Sequence, residues 1–356
     1  MKALVLVGGL GTRLRPLSVN MPKAMMPVVN RPFMARVVER LARHGVNEVI
    51  FTRGHLAGRM ESYFGDGSAF GVKVMFVDEE QPLGTAGGVR NCQGLLGNGT
   101  FLVLNGDIYA DIDYTALLEY HRRRGATATI ALTPVANPAA FGLVETGADG
   151  RIARFIEKPS PDEITTDMIN AGCYALEPAV LEYIPAGRPV SIERETFQQL
   201  LAERRPFYGY DISGSYWIDM GNSERYYRLN MDLLAGAGGG RNNWGRNVVM
   251  DATAEITGPV IIGNDCRLGA GAVVRGPAAL GDGTRLGRGA RVEGSIVWDG
   301  VFIGDRAAVT GSVVAAGCHL GSEAVVADSV LADGVWVDEG RTLNEAEVWP
   351  GTILNN

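Results

Sequence analysis

Three glycines and two arginines crowd into Gly8-Gly9-Leu10-Gly11-Thr12-Arg13-Leu14-Arg15-Pro16-Leu17, and Pro22-Lys23 follows shortly after. Glycine removes side chains, so backbone N–H groups can approach an anion closely, while guanidinium and ammonium groups supply the charge that a nucleotide's phosphates demand. Two familiar phosphate loops fit badly. No third glycine completes G-x-G-x-x-G after Gly9-Leu10-Gly11, and Gly-Lys-Ser/Thr does not occur. Leu83-Gly84-Thr85-Ala86-Gly87-Gly88 is a second small-residue turn, suited to lying against a flat ring or to packing a helix closely on a sheet. Asp107 and Asp219 each close an apolar run. Singly, such an aspartate often only stabilises a turn. As a pair at strand ends they could hold Mg²⁺ (or Mn²⁺), a hard cation bound through one or two carboxylates and completed by water and phosphate oxygens. Glu157-Lys158-Pro159 sets a carboxylate beside an ammonium group. The first could accept hydrogen bonds from sugar hydroxyls while the second meets a phosphate; the plainer alternative is a surface ion pair before a turn.

Elements must hold these groups in place. Residues 2–7 read as a strand buried on both faces, and 47–52, 72–77, 101–105 and 127–133 read as further strands. Between the first two, Pro32 suits a first helical turn, Phe33, Val37, Val38 and Leu41 share one face, and Gly45 suits the end. Ser191 reads as an N-cap, with Glu193 and Glu195 in the first turn. Strands alternating with helices predict an α/β domain with a Rossmann-like, mostly parallel sheet over residues 1–235. Ligands of such sheets bind outside the carboxyl ends of the strands, which puts residues 8–23 and Asp107 along one rim. A glycine-rich stretch, 236–245, reads as a linker. Beyond it, Ile262, Leu268, Val274, Leu280, Leu286 and Val292 recur every six residues. That period predicts a parallel β-helix over 246–356. Register slips near residues 298–303 and 318–320 are expected to be corner insertions. A glycine-rich β-sandwich would instead show period-two alternation and hairpin turns.

A chain of 356 residues with 46% hydrophobic residues fits two domains with substantial cores. The net charge of −7 disfavours a nucleic-acid partner, so an anionic substrate needs local basic clusters such as the one after Gly8. No apolar stretch reaches the length of a membrane span. The four cysteines are far apart without C-x-x-C spacing, against a disulfide framework or a zinc site. A cytoplasmic location is expected.

Taken in order, the Gly8 to Leu17 stretch with Pro22-Lys23, Gly84-Thr85-Ala86-Gly87, Asn105-Gly106-Asp107, Phe141-Gly142, Glu157-Lys158-Pro159, Asn170-Ala171-Gly172 and Trp217-Ile218-Asp219-Met220-Gly221 resemble the sugar-1-phosphate nucleotidyltransferases. Ala24 stands where that family usually has proline. The first nine residues, Ser191-Ile192-Glu193, Leu343-Asn344 and Trp349-Pro350 narrow the likeness to the branch that makes GDP-mannose. The resemblance implies a left-handed β-helix and a reaction of a nucleoside triphosphate, GTP in that branch, with a sugar 1-phosphate, there mannose 1-phosphate. It implies catalytic roles for Arg13 and Lys23, and a nucleotide site of Leu6, Gly8, Gly9, Gly11, Thr12, Arg13, Lys23, Glu80, Gly84, Thr85, Ala86 and Asp107. Gly142, Glu157, Lys158, Asn170 and Gly172 would bind the sugar phosphate, and Asp107 and Asp219 the metal. Relatives using UTP, dTTP or ATP with glucose 1-phosphate share these motifs, and a non-catalytic homologue would lose the charged ones. An acyltransferase β-helix would commonly need a histidine base, and that domain holds only His319. Its expected role is self-association into a homo-oligomer.

Overall fold

Each strand expected from an apolar run forms within one residue of that run. In this computed structural model, which describes residues 1–9, 11–53, 58–79, 81–236 and 243–355, the chain runs β1 (Lys2–Leu6), β2 (Pro27–Val28), β3 (Arg31–Pro32), α1 (Phe33–Arg43), β4 (Glu48–Arg53), α2 (Gly58–Phe64), β5 (Lys73–Asp78), α3 (Gly84–Asn91) and α4 (Gln93–Leu96). It continues through β6 (Phe101–Asn105), β7 (Ile108–Ala110), α5 (Tyr114–Arg123), β8 (Ala128–Pro134), β9 (Gly142–Thr146), β10 (Ile152–Glu157), β11 (Met168–Leu176), α6 (Phe197–Ala202), β12 (Phe207–Asp211), β13 (Trp217–Asp219) and α7 (Ser223–Gly236). Contacts divide the chain into two compact units, Met1–Leu10 with Met34–Asp219, and Gly11–Phe33 with Met220–Asn356. Most of the expected linker, residues 237–242, lies outside the described residues.

The first unit is built on a nine-stranded sheet with the path β10-β9-β11-β6-β1-β4-β5, β8 pairing with β11 and β12 with β8. Its half from β6 to β5 is parallel. Strands covered on both faces need apolar side chains throughout, and Leu4, Val5, Ile50, Phe51, Leu102 and Val103 are fully buried. β11 enters antiparallel to β6, β8 and β9, so the other half is mixed. Its pairing with β8 slips between Asn170 and Tyr174, which makes a bulge. β7 and β13 form a separate antiparallel pair with Asp219 opposite Ile108. Two local expectations shift. Pro32 pairs with Pro27 in the β2–β3 hairpin and precedes α1, and the 83–88 glycines lie mostly inside α3, not in a turn before it.

The second unit contains the β-helix, whose coils stack parallel strands into three sheets of seven, seven and six strands. Ile262, Leu268, Val274, Leu280, Leu286 and Val292 all point into its core. The register slips are shortenings, not insertions. Ile262 pairs with Leu280, 18 residues on, but Leu280 pairs with Val297, 17 on. One residue is lost at the corner after Val292, and again in each later coil. Ser295, Ser312 and Ser329 fill these corners: the Ser295 hydroxyl accepts from the Ser312 N–H at 3.1 Å, and that of Ser312 from the Ser329 N–H at 3.0 Å. Ala279, Ile296 and Val313 face outward yet are buried. α7 and Gly11–Phe33 pack in the same unit, with Asn30 Nδ2 donating to the Leu280 carbonyl at 2.5 Å, Tyr227 to that of Gly294 at 2.6 Å, and Trp298 Nε1 to the Tyr226 hydroxyl at 3.0 Å.

Candidate active site

In the first unit the carboxyl ends of β1, β4 and β6 are level, with Leu6 beside Thr52 and Asn105. Gly106 folds directly over β1, its N–H donating to the Leu6 carbonyl at 2.9 Å; a Cβ there would stand 2.5 Å from that oxygen. Past β1, Gly8 and Gly9 carry no side chain into the rim, and a Cβ on Gly9 would meet nothing within 4 Å. Glu80 lies outside the described residues. Its neighbour Glu79, which sequence reasoning missed, sends its carboxylate between two glycines: Oε2 is 3.4 Å from where a Gly8 Cβ would be, and Oε1 is 2.7 Å from that of Gly88. Burial pushes this carboxyl above the usual carboxylate range, opposed by the Leu83 N–H. The start of α3 is docked on a neighbouring segment, for the N–H groups of Ala86 and Gly87 donate to the Val190 carbonyl at 3.0 and 3.3 Å. Thr85 is held there too, its hydroxyl donating to Glu193 Oε2 and accepting from the Ile192 N–H, both at 2.8 Å.

A second cluster forms where β9, β10 and β11 meet. Gly142 pairs with Glu157, and a Cβ on Gly142 would lie 2.9 Å from Glu157 Oε2, so glycine leaves room for the carboxylate. Burial raises the Glu157 carboxyl first, the charge of Glu193 adds to this, and Arg194 and Lys158 oppose it. Lys158 is exposed and has φ of 57°, a left-handed conformation that few non-glycine residues adopt. In the β11 bulge, Asn170 Oδ1 accepts from the Gly172 N–H and Nδ2 donates to the Tyr174 hydroxyl, each at 2.9 Å. Gly172 has φ of 67°, and a Cβ would fall 2.8 Å from Asn105 Nδ2. The other amide atom, Asn105 Oδ1, is buried without a hydrogen-bond partner, an acceptor that a bound hydroxyl could satisfy.

Asp107 immediately precedes Ile108, the residue that faces Asp219 across β7–β13. β13 is tied to the bulge through Trp217 Nε1, which donates to the Ala171 carbonyl at 3.0 Å. Among the described residues no three His, Cys, Asp or Glu side chains gather as a metal cage. Two strand-end carboxylates, supplying oxygen only, nonetheless suit Mg²⁺, which keeps water and takes phosphate oxygens as its remaining ligands.

Gly11, Thr12, Arg13 and Lys23 belong to the second unit. Gly11 has φ of 59°, its carbonyl accepts from the Ser18 hydroxyl at 2.8 Å, and a Cβ there would lie 3.7 Å from Lys23 Cβ. Thr12–Leu14 makes one 3₁₀ turn that buries Leu14 and leaves Thr12 and Arg13 exposed. Pro22 caps a second such turn, Lys23–Met25, in which Ala24 is buried.

This fold defines a class: an α/β domain whose polar and glycine-rich groups gather beyond the strand ends, where such sheets bind their ligands. Sequence comparison defines it further. Residues 2–236 match the nucleotidyl transferase family and residues 256–356 the GMPPB C-terminal domain. The chain belongs to the nucleotidyl transferase family, within its sugar-1-phosphate nucleotidyltransferases. It is 43% identical over 265 residues to a mannose-1-phosphate guanylyltransferase of Mycobacterium tuberculosis, a match covering 73% of each chain. It is 36% identical over 248 residues to a UTP–glucose-1-phosphate uridylyltransferase of Synechocystis, covering 66% of this chain and 64% of that one. Among solved structures, HddC from Yersinia pseudotuberculosis superposes with a TM-score of 0.57 at 28% identity, covering 65% of this chain and 99% of HddC.

Proposed function

We propose that this chain joins GTP and mannose 1-phosphate to give GDP-mannose and pyrophosphate. The observation that carries the choice of base is the Glu79 carboxylate between Gly8 and Gly88. Guanine presents two adjacent donors, N1–H and the N2 amine, to such an acceptor. Uracil and thymine present one donor flanked by carbonyl oxygens that a carboxylate repels. The choice of sugar is supported by the mycobacterial relative and by Glu157, Asn170 and the unpaired Asn105 Oδ1. A site that pairs the C2 hydroxyl of mannose rejects glucose by leaving buried polar groups unsatisfied.

In this reading an oxygen of the sugar 1-phosphate attacks the α-phosphorus, the bond to the β-phosphate breaks, and pyrophosphate leaves with the bonding electrons. The nucleophile is already an anion, so no general base is needed. The protein's task is to bring two polyanions into line and offset their charge. Arg13 would stabilise the leaving pyrophosphate, Lys23 the α-phosphate and Lys158 the incoming phosphate. Leu6, Gly8, Gly9, Gly11, Thr12, Gly84, Thr85 and Ala86 would border the nucleotide, and Gly142 and Gly172 the sugar. Asp107 and Asp219 would hold Mg²⁺ or Mn²⁺, which when bound neutralises phosphate charge. A cytoplasmic location is supported by four unpaired, buried cysteines. Self-association through the β-helix is supported by one bare face, where Phe302, Trp336 and Ile353 are exposed in line with His319.

The test is pyrophosphate release with each nucleoside triphosphate against a panel of sugar 1-phosphates. A higher kcat/KM for UTP or dTTP with glucose 1-phosphate than for GTP with mannose 1-phosphate rejects the specificity and leaves the reaction type standing.

A further inference from the structure

Between the two clusters of the first unit runs a segment with no role so far. Its residues Ile192–Thr196 make a π turn, capped by the Ser191 hydroxyl, which accepts from the Arg194 N–H at 3.2 Å. Such turns are uncommon and recur at functional sites. On one side the segment grips the start of α3. The Val190 N–H donates to the Leu83 carbonyl at 2.8 Å, and a Cβ on Gly84 would stand 2.7 Å from the Val190 oxygen. On the other side it grips β10, because Gln198 Nε2 donates both to the Phe155 carbonyl at 3.1 Å and to that of Glu193 at 3.2 Å. Phe155 is two residues before Glu157.

Glu193 stands at the centre. As a residue of a helical first turn it would be expected to face the turn's own N–H groups. Instead its Oε2 accepts from two hydroxyls, those of Thr85 on α3 and of Ser191, each at 2.8 Å. The Thr85 oxygen in turn accepts from the Ile192 N–H, so the three residues lock each other. We propose that Glu193 is a positioning residue for the sugar 1-phosphate, held in place by Thr85 and acting on it through Glu157. The proposal rests on the reading that the β9–β11 cluster takes the sugar phosphate and the start of α3 the nucleotide. Among the described residues, the charges that act on Glu157 are those of Glu193, Arg194 and Lys158, and the Tyr174 hydroxyl also feels the Glu193 charge.

Burial raises the Glu157 carboxyl most and the Glu193 charge raises it further, so removing that charge lowers the pH below which Glu157 stops accepting sugar hydroxyls. The experiment measures kcat/KM for the sugar 1-phosphate against pH, and KM for each substrate, using the pair the substrate panel identifies. In E193Q, which keeps shape and acceptor but loses charge, the acid limb moves to lower pH by roughly 0.3 or more, about twofold in proton concentration. In T85V, which loses both the hydrogen bond to Glu193 and the one from the Ile192 N–H, KM for the sugar 1-phosphate rises about fivefold or more, a larger factor than KM for the nucleotide that Thr85 borders. T85S, which restores the hydroxyl, restores that KM. An unmoved acid limb in E193Q, or a T85V variant whose KM rises as much for the nucleotide as for the sugar 1-phosphate or more, overturns the proposal. If the panel selects another base or sugar, only the specificity reading falls and the same variants still decide the role of Glu193. A protein that turns over no pair overturns both.

Discussion

Charge opposing charge is what the proposed function requires of the site at the scale of single residues. Arg13 and Lys23 would meet phosphate charge as it develops, so R13A and K23A are each expected to lower turnover by roughly 10²-fold while circular dichroism stays unchanged. Near-normal turnover in both would remove these roles. Asp107→Asn and Asp219→Asn exchange a hard anionic oxygen for a weaker amide ligand. Turnover should collapse in each, and in the native protein with EDTA, and return with added Mg²⁺ only in the native protein; full activity in chelator contradicts the assignment. Glu157 carries a pH dependence of definite sign. Burial and Glu193 raise its carboxyl above the ordinary range. The ionised form, which in the proposed reading accepts sugar hydroxyls, is therefore lost as pH falls through that raised value, earlier than an exposed glutamate would lose it. The expected profile of kcat/KM for the sugar 1-phosphate drops on its acid side, and E157Q removes that limb along with most of the activity.

Among the elements, the β11 bulge is the least replaceable. Its irregular pairing lets Asn170 turn its amide onto the Gly172 N–H and the Tyr174 hydroxyl, which a regular strand would not permit. Gly172 needs both its left-handed φ and its missing side chain, because a Cβ would lie 2.2 Å from Ile108 Cδ1. Gly172→Ala is expected to lower the melting temperature by several degrees and to raise KM for the sugar 1-phosphate. Gly142→Ala should act on the sugar side with a smaller thermal effect, since its Cβ would press on the Glu157 carboxylate and the Phe155 ring. Thermal unfolding and KM measured together separate the two; equal native-like values for Gly172→Ala would show the bulge to be dispensable.

The whole molecule is partitioned by contacts that the linear sequence does not follow. α7 belongs with the β-helix, and its Tyr226 is fully buried, donating to the Pro27 carbonyl and accepting from Trp298. Asn230 on the same helix accepts from the Val29 N–H at 2.8 Å and donates to the Tyr226 carbonyl at 2.9 Å. Chain ending at Ala235 would keep α7 and Gly11–Phe33 but lose Trp298, Leu280 and the outward column of Ala279, Ile296 and Val313. Such a truncation is expected to bind a hydrophobic dye and to melt at least several degrees below the full chain. A truncated protein with the full chain's melting temperature and no dye binding would show that these contacts contribute little.

Composition and short-range period were enough to locate the strands, the change of architecture after the glycine run and the inward hexapeptide column, because each depends on neighbours a few positions away. Other features arise from contacts far apart in sequence. Thr85 meets Glu193 across 108 residues, and Asn30 meets Leu280 across 250. No local period encodes such pairs, so the latch at Glu193 and the alliance of Gly11–Phe33 with the β-helix were visible only in three dimensions. The same holds for Glu79. Its sequence marks it only as one of two adjacent acids after a strand, and only the tertiary structure puts its carboxylate between Gly8 and Gly88. In the β-helix the six-residue count breaks where a corner loses one residue, and the serine ladder that makes the shorter corner stable exists only once successive coils are stacked.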